Sequence, residues 1–371
     1  MRSAAAARHS GRSVTSDLRI TVATGLDPES LASDWRALEA RAVASFFQSW
    51  TWVGCRARER FPDPVVLRAE RAGSLVGLAL LNRTTGRWPG PRLWLGESGA
   101  VRLDAVYVEH NGPLLADGAA DLLSDCLTRL LASPVCDGRP VRLSGVDAAH
   151  LAAARRAGAV RLRRLHPAPC IDLTALGEGR GAYLASLSAN TRYQIRRSDR
   201  FYAESGTVMA RRAETLPEAL EFLDGLAALH QAAWTARGKP GAFADPDFIA
   251  FHRILLHRAL PRGEADLIRV SAGPLIVGYL YNFRYRGCVY AYQSGFDYAA
   301  AGRHGKPGLT CHHAAIVAAR QDGITRYDFL AGEDRYKTSL ANDSATLHWL
   351  DLAPRRSAAG LAIRMANLLG F

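Results

Sequence analysis

Lysine is scarce in this sequence, paired cysteines are missing, and no apolar run reaches the length of a membrane span. Each absence removes a class of protein. The six cysteines (Cys55, Cys126, Cys136, Cys170, Cys288, Cys311) form no C-x-x-C pair, and most lie in apolar runs where thiols act as small hydrophobes. A disulfide scaffold is not expected; a reducing, cytoplasmic setting is. No stretch of about 18 apolar residues exists, so no spanning helix is expected. Residues 1–17 carry Ser, Ala and Arg without the apolar segment of a secretory signal and read as a disordered tail. The patterns G-x-x-x-x-G-K-[ST], G-x-G-x-x-G and G-x-S-x-G are absent, which argues against P-loop, dinucleotide and serine-hydrolase chemistry. Cys311, His312 and His313, with His304 nearby, do not make a metal site. Adjacent helix residues point different ways, and no second ligand pair stands at metal spacing. No metal is expected.

What is present describes a globular chain. Of 371 residues, 48% are apolar and 22% charged, enough for about two domains. The net charge is +12 and the isoelectric point about 9.8, almost all of it arginine. That balance favours anionic partners: phosphate-bearing substrates, nucleic acid or an anionic membrane face. A DNA reader would need an aromatic–basic sheet surface or a reading motif, and neither appears, so no DNA contact is expected.

The periodicity alternates between strands and helices. A strand at 18–25 leads into helices at 31–60, and 64–85 reads as two strands turning at Ala72-Gly73. A helix, a strand, a helix and a closing strand at 161–174 follow. The order then restarts: a helix at 179–206, a strand, two helices, three strands between 265 and 297, a helix after 308 and a strand at 324–332. "RAGSLVGLALL" (71–81) aligns with "SAGPLIVGYLY" (271–281). The expected fold is α/β, a duplicated unit with halves at 18–175 and 176–352 and an amphipathic helix at 353–371.

The densest chemistry lies in "AYQSGFDYAAAGRHGKPGLTCHHAAIVAARQDGITRYDFLAGEDRYK" (291–337), where a strand, a Gly-rich basic loop, a helix and a strand follow in order. A helix N-terminus offers unpaired N–H groups and partial positive charge to a phosphate. This segment resembles the GNAT superfamily of acyl-CoA N-acyltransferases. It is similar more narrowly to the CelD-type, cellulose-biosynthesis branch, itself similar to Fem-type aminoacyltransferases. "SANTRYQIRRS" (188–198), "LHQAAWTARGKPGAF" (229–243) and "LIVGYLYNFRYRGCVYAYQSGFD" (275–297) carry the same resemblance. It covers about 170–345; the first half fits as the degenerate partner of a tandem pair.

The resemblance implies that acyl-CoA, as cosubstrate, lies between two splayed parallel strands. Its pyrophosphate would sit on Arg303, His304, Gly305, Lys306, Gly308, Leu309 and Thr310, although Pro307 removes one N–H from that cradle. Acyl transfer needs a proton acceptor, an oxyanion site and a donor to the leaving sulfur. Catalytic candidates are Asp297, Asp328, Tyr292 and Tyr336; Trp234, Gln293 and Lys337 would line the acceptor pocket. On the basic helix, Leu184, Leu187, Thr191, Ile195, Ser198 and Tyr202 form an inward stripe. Arg192 and Arg196 are expected to face the cleft between halves and hold a phosphate-bearing acceptor. The expected activity is acetyl or acyl transfer to an amine or hydroxyl of a sugar or cell-envelope precursor. A Fem-type transferase using aminoacyl-tRNA and a non-catalytic partner of a polysaccharide synthase are the alternatives. Leu361, Met365 and Leu368, with Arg355, Arg356 and Arg364 elsewhere on the last helix, suit packing on the protein or weak contact with the inner membrane face.

Overall fold

Turns at Ala72-Gly73 and Ala272-Gly273 fold the same hairpin twice, with Gly73 and Gly273 at φ 75° and 57°, the left-handed region that glycine enters freely. The computed structural model describes residues 17–25, 27–85, 90–179 and 181–369; the expected tail, except Asp17, lies outside them. The first half runs β1 (Leu18–Thr24), α1 (Pro28–Glu39), α2 (Trp50–Arg60), β2 (Pro64–Arg71), β3 (Ser74–Arg83), β4 (Leu93–Leu95), a short β5 (Leu114–Leu115), α3 (Leu123–Ala132), β6 (Val141–Val146), α4 (Ala148–Ala157) and β7 (Ala159–Asp172). Helices α5 (Ala182–Ser186) and α6 (Ala189–Ala203) come next. The second half runs β8 (Val208–Arg212), α7 (Leu216–Thr235), α8 (Pro246–Ala259), β9 (Ala265–Ala272), β10 (Leu275–Tyr285), β11 (Cys288–Phe296), α9 (Pro307–Gln321), β12 (Arg326–Asp328), α10 (Arg335–Leu340), β13 (Asp343–Ala353) and α11 (Ala358–Leu368). Leaving out β5, the two halves have one element order.

The described strands join one sheet, ordered β1-β2-β3-β4-β6-β13-β7-β12-β11-β10-β9-β8, with β5 off this path beside β3. The arrangement is that of a tandem unit, with one modification. β13, the last strand of the second half, pairs antiparallel with β6 of the first, and β7 pairs antiparallel with β12 of the second. β13 and β7 pair with each other along all eleven residues of β13. The expected halves therefore have a boundary in sequence but share one sheet, and the last strand of each lies beside the other.

Alternation along β10 separates two cores: Tyr279, Tyr281 and Phe283 face α7 and α8, while Val277 and Leu280 face α6 and α9. The first core runs through both halves, where Phe46 stacks on Phe283 (4.0 Å between centroids) and Trp52 meets Phe251 edge-on. Asp351, buried on β13, joins three strands: it accepts from Arg142 Nε on β6 (2.5 Å) and Arg163 Nε on β7 (2.6 Å). No described helix is long and apolar enough to cross a membrane.

The sequence reading did not include β4, β5 or α10, and three further segments differ from it. The helix expected at 179–206 breaks at Leu187-Ser188, because the Ser188 hydroxyl caps a new helix by accepting from Thr191 N–H (3.2 Å). The strand expected at 324–332 stops at Asp328. β13 was not foreseen.

Asp351→Ala leaves two arginines facing an apolar gap at the seam, although both retain a path to solvent. The expected loss is about 2–3 kcal/mol, read as a lower urea midpoint for one cooperative transition of both halves.

Candidate functional site

β11 and β12 run parallel for three residue pairs only, Cys288↔Arg326 to Tyr290↔Asp328. Two local features part them there. In β11 the register against β10 slips between Gln293 and Ala291, so Tyr292 is a bulged residue that bends the strand. After β12, Leu330 adopts φ 61°, held by its N–H donating to Asp328 Oδ1 (2.8 Å). From Ala291 onward the β11 edge facing β12 has no strand partner, and a cavity of about 570 Å³ opens between the strands. Its walls are Ala291–Ser294, Phe329–Ala331, the start of α9, Trp234 from α7 and Arg237 just after it, and Tyr336 and Lys337 from α10. Unpaired main-chain groups along a splayed strand suit an oxyanion.

The N-terminus of α9 opens into this cavity at Lys306, Gly308 and Leu309, with no acidic residue in its first turn and no side-chain cap. The loop before it is fixed from α6. Ser198 Oγ accepts from Lys306 N–H (2.8 Å) and shares a hydrogen bond with Thr310 Oγ1 (2.8 Å), and Thr310 donates to Asp199 (2.8 Å). His312, one turn into α9, lines the cavity with a buried Nε2 that has no partner among the described residues. Burial, aided by Lys337, lowers its pKa to about 3, so the ring is neutral. An uncapped helix start, Lys306 and Arg237 at the mouth, and an unpaired ring nitrogen inside together fit a phosphate-bearing acyl donor.

The first half has the same parallel pair, β4 and β6, but its gap is closed. Asn111 donates its N–H to Gly145 O (3.0 Å) and its Nδ2 to Leu95 O (2.9 Å), tying the two strands together. A Cβ on Gly145 would meet Val108 O at 2.4 Å, so glycine lets the loop lie in the gap. That loop, 107–112, extends into the open cleft of the second half. Tyr107 and Glu109 line the cavity, and Glu109 Oε2 accepts from Ala331 N–H (2.6 Å). Burial raises the Glu109 pKa to about 7 against the opposing pull of Ala331 N–H and Lys337. Next to it, His110 Nε2 lies 3.3 Å from Asp328 Oδ2. Burial alone would lower the His110 pKa, but the Asp328 carboxylate outweighs it and holds it above its ordinary value. Burial likewise works against an ionised Asp328, and His110, Leu330 N–H and Arg326 together hold its pKa down. The contact anchors the loop to β12.

Backbone strain gathers at the same place. Of the non-glycine residues with positive φ among the described residues, Ala72, Asp137 and Arg286 each precede a glycine in a tight turn. Tyr107, His110 and Leu330 surround the cleft instead.

The structure brings Tyr292, Gln293, Trp234, Lys306, Gly308, Leu309, Tyr336 and Lys337 into one cavity. Within it, the Tyr292 hydroxyl is taken by Val106 O and His252, which leaves only its ring to the cleft. Tyr336 stacks on His312 (5.5 Å), and no described residue takes its hydroxyl. Lys337 Nζ donates to Ala331 O (2.7 Å). Other expected residues lie elsewhere. Asp297 caps a turn, accepting from Ala299 and Ala300 N–H (3.0 Å each), and does not line the cavity. Asp328 sits buried beneath the cleft in its ion pairs. Arg303 and His304 are exposed before the helix, Gly305 packs against Ala301 O, and the Thr310 side chain turns to α6. Arg192 and Arg196 do not face the cleft: Arg192 caps the carbonyls of Leu184, Ala185 and Leu187, and Arg196 lines a separate groove on the outside of α6.

Residues 189–338 match the model of the acetyltransferase (GNAT) domain. The second half carries a GNAT-type acetyltransferase domain. No curated protein sequence matches the chain. By structure it is similar to FemX, at TM-score 0.60 and 10% identity over 95% of this chain and 100% of that one. It is also similar to the C-terminal domain (DUF2156) of a putative lysylphosphatidylglycerol synthetase from Agrobacterium fabrum, at TM-score 0.56 and 13% identity over 92% and 97%. A third is L-PGS from Bacillus licheniformis, at TM-score 0.54 and 13% identity over 93% and 97%. At such identities the likeness is one of fold, and it runs through both halves. The chain has a tandem GNAT fold and is an acyltransferase.

Glu109, Tyr107, Arg237 and His312 escaped the sequence reading of the pocket. Glu109 sits some 220 residues before its partner Ala331, beyond any local pattern. One signal was available. In a chain that writes its basic positions as arginine, Lys239, Lys306 and Lys337 are the lysines; two line the cleft, and Lys239 lies over the ring of Trp234, which also lines it.

Ser198→Ala removes the acceptor for Lys306 N–H and loosens the start of α9. The expected result is a several-fold higher KM for the acyl donor with kcat and acceptor KM little changed, measured by steady-state kinetics.

Proposed function

We propose that the protein transfers an acyl group, most simply acetyl from acetyl-CoA, to an amine of a sugar or cell-envelope precursor, as the resemblance to the CelD-type branch implies. One observation carries the reading: a buried glutamate with a pKa near 7 and a tyrosine with a free hydroxyl line one cavity, between splayed strands and beside an open helix N-terminus. The thioester carbonyl would lie along the unpartnered edge of β11, with the phosphates of the donor toward Lys306 and Gly308. Ionised Glu109 takes a proton from the attacking ammonium, and its bond to Ala331 N–H keeps the carboxylate in place. The free amine attacks the carbonyl carbon, and main-chain N–H groups stabilise the oxyanion. Collapse expels the thiolate, which takes the Tyr336 proton; the adduct's nitrogen releases its surplus proton to solvent, and solvent returns one to Tyr336. Trp234 offers an apolar floor to the acceptor.

The chemistry sets a pH dependence. Glu109 works as a base only when ionised, so kcat/KM rises with pH through about 7. Glu109→Gln should remove that limb and lower kcat/KM by about 10²–10³. Tyr336→Phe should lower kcat about tenfold or more with donor KM unchanged. Calorimetric titration with acetyl-CoA tests the donor: absence of binding at millimolar ligand sinks this reading. The whole-chain likeness to FemX supports a second reading, an aminoacyl-tRNA donor, which binding of a non-hydrolysable aminoacyl-tRNA analogue would favour.

A further inference from the structure

Helix α11 is amphipathic twice over. Its inner face, Ala359, Gly360 and Ile363, packs on Ala159 and Ala353 of β7 and β13, with Gly360 so close to Pro354 O that a Cβ would lie 1.9 Å from it. Asn367 Nδ2 donates to Val160 O (2.9 Å), and Arg355 donates to Arg155 O (2.6 Å). The helix is therefore fixed to the sheet by one side. The opposite side is apolar and open: Leu361, Met365, Leu368 and Leu369 are 50–85% exposed, spaced i, i+4, i+7 and i+8. Charge surrounds this stripe. Residues 148–171 and 352–369, which build the surface, contain no Asp or Glu, while Arg155, Arg156, Arg355, Arg356 and Arg364 are exposed there. Arg155, Arg355 and Arg364 share a groove at the base of the helix.

We propose that this face docks on an anionic lipid bilayer, with the apolar stripe in the headgroup–acyl boundary and the arginines on lipid phosphates. Two other occupants fit the surface less well. A second copy would set arginine against arginine across a two-fold axis. A polyanion such as RNA would use the arginines and leave the leucines and methionine in water. The docking face lies roughly 20 Å from the cleft. Val160, bonded to α11, and Pro167, bonded to Gly332 at the cleft, are seven residues apart on β7 at about 3.3 Å each. Docking would concentrate the protein on a surface without blocking the cavity, and it does not depend on the identity of the acyl donor.

Co-sedimentation of the full chain with vesicles tests this. Phosphatidylcholine vesicles containing about a third phosphatidylglycerol should bind the protein, and pure phosphatidylcholine should not. Binding should fall at least tenfold in 0.5 M salt. It should also fall at least tenfold in the triple variant Leu361→Ser, Met365→Ser, Leu368→Ser, whose substituted side chains are 50–85% exposed, and in Arg356→Glu with Arg364→Glu. Circular dichroism and the thermal midpoint confirm that the variants fold. Three outcomes overturn the proposal: no binding to anionic vesicles at low salt; the serine variant binding like wild type with duplex RNA as an effective competitor, which assigns the face to a polyanion; or a concentration-dependent dimer in sedimentation velocity that the serine variant loses, which assigns it to a second copy.

Discussion

The structure depends on the antiparallel ladder between β7 and β13. Every residue of β13 pairs with β7, and the ladder stands where two units meet. Because each strand also pairs with the other half, through β6 and β12, the ladder merges two sheets into one. Asp351 secures it with two arginines from either side, a buried charge that is tolerable because both partners reach it. The shared aromatic core then forms on one face, and the relative position of the halves is set to the precision of side-chain packing.

That precision is what the cleft needs. Its carboxylate comes from one half and its tyrosine and helix terminus from the other, so a shift at the seam would pull Glu109 from Ala331. The duplicated unit has diverged in a physically coherent way. In the first half Asn111 fills the space between two parallel strands, and the filling loop extends far enough to place a carboxyl across the seam. Burial lifts that carboxyl from its ordinary range to near neutrality, as the proposed base requires. The strain at Tyr107, His110 and Leu330 is retained because the His110–Asp328 contact and the Glu109–Ala331 hydrogen bond both hold it.

Local features were legible in the sequence. The hairpins were written in Ala-Gly and Arg-Gly turns, the inward stripe of α6 in its spacing, and the open start of α9 in its Lys-Pro-Gly sequence. What depends on distant partners was not. β13 reads poorly as a strand because His348 and Asp351 interrupt its apolar pattern, and both are accommodated by β6 or β7. Arginine chemistry misled in a similar way. Arg192 looked like a ligand for phosphate, but its charge is spent on three carbonyls at the end of α5. Asp297 and Asp328 were equally plausible as bases; only the fold distinguishes a turn cap and an ion-pair anchor from the glutamate that the cavity exposes.

The exchanged strands also govern the order in which the molecule can be made. β6 emerges from the ribosome about 200 residues before β13, its neighbour on one side, which at ~5–20 residues per second is a wait of roughly 10–40 s. During that interval the nascent first half has an open strand edge at β6 and an unpaired β7, the sort of surface that recruits other chains. Completion of the sheet is thus a late, long-range event that waits for the last strand.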